Sequence, residues 1–203
     1  MGKVKVYAIL PFVLEKRDQG YSLREIARLL ENEGIKVSHQ LVANAVKKLE
    51  EEGWEERIRR YERLLRFEHT KTFLNRWVQT HRAWFLFLIG MTFFKTAITH
   101  PKVNVPPHRV KSDFLTLSTY TIIAAEFDEP LKREFLSLLE YLQTLVNFYL
   151  LKHGQRPKNF IKAGYRRVPG ELFKVLIAVK NNKFEEEVFN FAKSISQLIP
   201  TEA

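Results

Sequence analysis

Cysteine is absent from all 203 residues, so the chain can form no disulfide, no thiolate metal site and no cysteine nucleophile. Glycine is scarce and scattered. The 8 glycines contain no G-x-x-x-x-G-K run, which excludes the common phosphate-cradling loop. The 6 histidines (His39, His69, His81, His100, His108 and His153) form no H-x-x-x-H or H-E-x-x-H pair and show no regular ligand spacing. Neither a nucleophile elbow nor a pair of catalytic carboxylates is discernible. No catalytic residue, metal or cofactor is therefore expected, and the chain reads as a non-enzymatic protein. Only 2 methionines are present while Lys, Arg and Glu abound, a balance that suggests adaptation to heat.

Long apolar runs are missing as well. Met1 to Leu14 has no extended apolar stretch ending in a small-residue cleavage site, so no secretory signal is expected and the cytoplasm is the implied compartment. The one membrane candidate is AWFLFLIGMTFFKTAIT, from Ala83 to Thr99. It falls short of the ~20 residues that a span needs, and Lys95 interrupts it. Arg82 on one side and His100 to Lys102 on the other supply no charge asymmetry to orient it. The segment reads as a helix buried on most faces, and no membrane partner is expected.

What the chain does have is core material and positive charge. Its hydrophobic fraction of 45% and 16 phenylalanines can fill a core. The net charge of +10 favours polyanionic partners through counterion release.

The stretch GYSLREIARLLENEGIKVSHQLVANAVKKLEEEG, from Gly20 to Gly53, has the pattern of a helix-turn-helix. Ser22 is an N-cap hydroxyl, and Glu25 three residues later completes a capping box. Leu23, Ile26, Ala27, Leu29 and Leu30 then fall at helical spacing on one stripe. Gly34 supplies the turn, because glycine takes positive φ without steric cost. Ser38 caps a second helix whose Leu41, Val42, Ala45, Val46 and Leu49 face inward. That leaves His39, Gln40, Ala43, Asn44, Lys47 and Lys48 outward. Small and amide side chains near a helix N-terminus, followed by lysines, suit base-edge reading and phosphate anchoring. The expected base contacts are Ser38, His39, Gln40 and Asn44; the expected phosphate contacts are Ser22, Arg24, Lys47 and Lys48.

The runs SLREIARLL and GIKVSHQLV also resemble the N-terminal helix-turn-helix of insertion-sequence transposases and related regulators from mobile elements. There an S-x-R-x-I-A-x-x-L helix precedes a V-S-H-x-T-V recognition helix. Leu41 stands where that family usually has threonine, and Asn44 where arginine is common. The resemblance covers about the first quarter of the chain and implies double-stranded DNA as partner. A transposase would also need a later α/β domain with three spaced acidic residues. No strand-rich segment follows Gly53, so only the DNA-binding part of the resemblance carries over.

Lys3 to Tyr7 alternates charge with valine, which fits a short strand or a lysine-bearing arm, and Pro11 fits the first turn of a support helix ending near Asp18. After Gly53, WEERIRRYERLLRFE is helical, with Trp54, Ile58, Tyr61 and Leu65 on a coiled-coil-like seam. This seam suits either a homodimer contact or docking on the chain's own second half. Arg57, Arg59, Arg60, Arg63 and Arg66 alternate with acids and read as a solvated face. The remainder reads as helices over Lys71–Thr99, Asp113–Glu126, Glu129–His153, Gly170–Lys180 and Lys183–Leu198. The connecting loops are His100–Ser112, where Pro106–Pro107 favour an extended segment, and Gly154–Val168. The expected architecture is all-α: a helix-turn-helix domain over 1–53, a connecting helix over 54–70 and a larger helical domain over 71–203.

A second basic feature lies at Lys152, Arg156, Lys158, Lys162, Arg166 and Arg167, a stretch with no intervening acid. Phe160 and Tyr165 are interleaved. Such a stretch can straddle a phosphate backbone with its aromatics on unpaired bases, or tuck the aromatics into a helical core. The sequence thus points to a DNA-binding transcriptional regulator of a plasmid, virus or other mobile element. A replication or recombination accessory factor that binds DNA, single strands or a protein partner is the alternative. A helix-turn-helix that binds protein in place of DNA is the third reading.

Overall fold

A computed structural model describes residues 2–66, 82–127 and 129–180, and every regular element among them is an α-helix. The first, α1 (Gly2–Asp18), buries Val6, Ile9, Leu10, Val13 and Leu14. That i, i+3, i+4, i+7, i+8 spacing is a helical stripe, and it overrides the local alternation at Lys3–Tyr7 that suggests a strand or arm. Pro11 therefore sits inside the helix, not in its first turn. Its ring has no N–H to give the Tyr7 carbonyl.

The next two helices are α2 (Leu23–Asn32) and α3 (His39–Glu51), each opening on a serine cap. Ile26 and Leu30 of α2 and Val42, Ala45 and Leu49 of α3 are buried. Helix α1 packs on both of them, and on α4 (Trp54–Leu64). Then come α5 (Arg82–Thr99), α6 (Pro107–Phe127), α7 (Glu129–Lys152) and α8 (Phe160–Lys180). The second proline of the pair begins α6. Proline suits a first helical position, where its fixed φ is already right and its missing N–H is not needed, so the loop ends at Pro106 and not at Ser112. Lys183–Leu198 and Lys71–His81, expected to be helical, lie outside the described residues.

Helix α7 is the central post. Phe135, Leu138, Leu139, Leu142, Val146 and Leu150 are buried along it, and it packs against α1, α4, α5, α6 and α8. The buried side chains of α1 to α4 and those of α5 to α8 belong to one continuous cluster. The seam of α4 is part of it: Trp54, Ile58, Tyr61 and Leu65 are 7%, 0%, 2% and 1% exposed. Trp54 lies against Tyr7 of α1, and Tyr61 against Tyr141 of α7. Of the two arrangements that the seam suits, these side chains adopt docking on their own chain. The arginines of α4 are more than a solvated face, since Arg59 forks onto Asp18 of α1 with both nitrogens at 2.8 Å, and Arg57 and Arg60 pair with Glu140 and Glu134 of α7.

Helix α8 is the largest departure from the sequence reading. It starts at Phe160 and runs through Pro169, so most of the expected Gly154–Val168 loop is helical. Asn159 starts it: its Oδ1 accepts from the Lys162 N–H at 3.0 Å, and the Gln143 side chain of α7 accepts from the Ile161 N–H at 3.1 Å. Gly164 lets it lie close on α6. A Cβ there would stand 3.0 Å from Ile122 Cδ1 and 3.4 Å from Ser118 Cβ. Among the described residues, no helix is long and apolar enough to cross a membrane.

Candidate nucleic-acid interface

The outer face of α3 is built by two caps and a turn. Ser22 Oγ accepts from the Glu25 N–H at 3.4 Å while Glu25 Oε2 accepts from the Ser22 N–H at 2.7 Å, which closes the capping box. Ser38 Oγ accepts from the Leu41 N–H at 3.2 Å. The Ser38 hydroxyl proton is left for an outside acceptor, whereas the Ser22 hydroxyl also bonds the Glu25 carboxylate, which it helps hold below the usual carboxylate range. Between the helices, Gly34 takes φ +81°, and the Ile35 N–H returns to the Leu30 carbonyl at 2.9 Å.

His39, Gln40 and Asn44 are exposed. Gln40 Nε2 donates to Asn44 Oδ1 at 3.2 Å, so one turn of helix holds the two amides side by side. Their remaining donors and acceptors face outward and match an adenine edge in hydrogen-bonding type. Lys47 pairs with Glu51 at 3.9 Å, and Lys48 with Glu52, which also accepts from the Tyr7 hydroxyl at 3.0 Å. The Lys48 ammonium holds the Glu52 carboxyl below the usual carboxylate range, and Glu52 raises Lys48 in return. Both expected phosphate anchors thus carry an acid one turn away. Arg24 is exposed and makes no ion pair with a described residue.

Charge is unevenly shared. Gly20 to Gly53 holds five basic residues (Arg24, Arg28, Lys36, Lys47 and Lys48) against six acidic ones (Glu25, Glu31, Glu33, Glu50, Glu51 and Glu52). His153 to Gly170 holds five basic residues and none that is acidic. The amide-bearing helix is not where the positive potential resides.

The fold brings these two regions together. Lys152, at the end of α7, pairs with Glu33, and its carbonyl lies 3.6 Å from where a Gly34 Cβ would stand. The basic segment therefore leaves α7 beside the turn that precedes α3. Its path is fixed by short-range bonds: Gly154 takes φ +68°, and the Gln155 N–H returns to the Leu150 carbonyl at 2.8 Å. Asn147 then clamps Lys158 from both sides, donating to its carbonyl and accepting from its N–H, each at 2.9 Å. Arg156, Lys158, Lys162, Arg166 and Arg167 are on the surface, with Arg167 paired to Glu171 at 3.4 Å. Of the interleaved aromatics, Phe160 is core, 3% exposed and edge-on to Phe114. Tyr165 is 45% exposed.

Three lysines join this surface that sequence reasoning did not single out. Lys5 Nζ donates to the Lys36 carbonyl at 2.5 Å, which sets a lysine of α1 against the turn, and Lys36 is itself exposed. Lys111 of α6 donates to Gln155 Oε1 at 3.1 Å. Lys36 is visible as a lysine in a turn. Lys5 and Lys111 are distant in sequence, and only the packing of α1 and α6 brings them here.

A cavity of about 870 Å³ lies between α1, α4, α5 and α7, with Phe12, Glu62, Lys95 and Phe148 among its walls, and it reaches Lys152 and His153 at the start of the basic segment. Burial lowers the Lys95 ammonium and raises the Glu62 carboxyl from their ordinary values, and each partly offsets the other.

The class that these observations define is an all-α protein in which two serine-capped helices present a polar face next to a structured basic segment. Comparison of the chain with protein-family models, with curated proteins and with solved structures returns no match.

Proposed function

We propose that the chain is a non-enzymatic DNA-binding protein, a transcriptional regulator of a plasmid, virus or other mobile element. In this reading α3 enters the major groove of duplex DNA, with Ser38, His39, Gln40 and Asn44 toward base edges. Ser22, Arg24, Lys47 and Lys48 hold phosphates around it. Because α2 and α3 carry almost no net charge of their own, the acid-free segment from Lys152 to Arg167 supplies most of the counterion-release affinity. The observation that carries the reading is the meeting of these two parts at Glu33–Gly34 and Lys152. The likeness of SLREIARLL and GIKVSHQLV to mobile-element helix-turn-helices supports the regulatory role.

The test is a titration of the full chain against duplex DNA of random sequence at several salt concentrations, followed by selection of preferred sites. The proposal expects log K to fall linearly with log salt and a subset of sequences to be enriched. Absence of salt-dependent duplex binding would leave α2 and α3 as a protein-binding pair.

A further inference from the structure

Two large apolar or aromatic side chains stand out as exposed among the described residues, Tyr21 and Tyr165. Tyr165 lies on α8 with Lys162 three residues before it and Arg166 directly after it, and on a helix these fall within one arc of about 100°. Lys162 and Arg166 are one turn apart, about 6 Å along the axis. Neither makes an ion pair with a described residue, and Lys158 and Arg156 just upstream make none either. The opposite face of α8 is committed: Phe160 is buried and Gly164 is pressed on α6. The aromatic ring therefore stands among uncompensated cations on a rigid face, held by the Asn147 clamp, the Gln143 bond and the Asn159 cap.

We infer that this face of α8, with the Lys158 loop, is a binding site for single-stranded polynucleotide, in which an unpaired base stacks on Tyr165 and the backbone runs along Lys158, Lys162 and Arg166. The inference rests on reading the acid-free segment as a nucleic-acid contact, and it names the substrate class. Paired bases in a duplex have no free π-face for a ring that stands on a convex helix, whereas every unpaired base offers one. The contact is tolerant of sequence for the same reason. Neighbouring cations neutralise phosphates without reading bases, so they serve the same strand.

The experiment uses the full chain and fluorescence anisotropy with a labelled thymidine oligonucleotide of about 20 nucleotides, a uridine oligonucleotide of the same length and a matched duplex. Tyr165→Ala, Tyr165→Phe and the α3 variant Gln40→Ala/Asn44→Ala are titrated in parallel. The expected result is that Tyr165→Ala weakens binding to at least one single strand by roughly 5-fold or more, while duplex affinity stays within about twofold. Tyr165→Phe should bind as the wild type does, because the stack needs the ring and not the hydroxyl. Preference between thymidine and uridine strands would assign DNA or RNA. The inference is overturned if the wild type binds neither strand, if Tyr165→Ala binds both as well as wild type, or if it loses duplex and single strand alike. Loss of duplex selectivity in the α3 variant is read separately, so failure of groove recognition by α3 is distinguishable from failure of this site. Tyr165 is exposed, and an unchanged thermal midpoint in both Tyr165 variants verifies that they fold.

Discussion

Lys152, the last residue of α7, pairs with Glu33 at 2.5 Å across the C-terminal end of α2. Both side chains are more than a third exposed, so the pair is worth little in stability, at most about 1 kcal/mol. Its value is positional. It marks the place where the turn before α3 and the start of the acid-free segment become one surface.

Gly34 is the residue that this junction needs. Its φ of +81° is strained for any residue with a Cβ, so Gly34→Ala should lower stability by about 1–2 kcal/mol. Gly170, inside α8 with open space around it and no positive φ, should behave the other way. There alanine should add about 0.5–1 kcal/mol through helix propensity. Urea denaturation of the two variants checks the opposite signs.

Ile58 is fully buried in the seam of α4. Ile58→Glu should therefore destabilise the chain by about 3 kcal/mol or more, since it buries an unpaired charge. Denaturation combined with sedimentation reads this out. A variant that stays fully stable and merely halves its mass would show that the seam packs between two copies.

Gln40→Ala/Asn44→Ala should leave folding intact, because both side chains are exposed and bond mainly to each other. Sequence preference in a binding-site selection should relax, at ~1–3 kcal/mol of discrimination for each bidentate base pairing removed. An unchanged selection would remove base reading from this pair.

The basic segment should act differently. Replacing Arg156, Lys158, Arg166 and Arg167 by glutamine should flatten log K against log salt, by about 0.7 to 0.9 for each phosphate that is no longer neutralised. Specific and non-specific DNA should weaken alike while preference survives. A wild-type slope in this variant would make the segment a solvated connection.

Much of the N-terminal quarter was legible because its signals are local. The capping box at Ser22–Glu25, the Ser38 cap and the Gly34 turn each act within about five residues, and the structure forms them as read. Long helices with a strong apolar stripe, such as α7, were equally plain. Proline misled the reading in three places. Pro11 and Pro169 lie inside helices, where packing of α1 and α8 outweighs the single hydrogen bond that proline withholds, and Pro107 starts a helix at a position where no hydrogen bond is lost.

By itself the sequence determined the all-α class, the helix caps and the turn, since helical periodicity and capping are properties of neighbouring residues. It also set where basic residues run without an intervening acid, because that follows from composition along the chain. Only tertiary structure decided which way each amphipathic element faced. It turned the α4 seam onto Tyr7 and Tyr141, drew Phe160 into the core against Phe114 while leaving Tyr165 outside, and carried Lys5, Lys111 and Lys152 to their places around the turn and the basic loop. These outcomes depend on contacts between residues 30 or more apart in the chain, which are set by how the helices fill one shared core and not by the residues beside them.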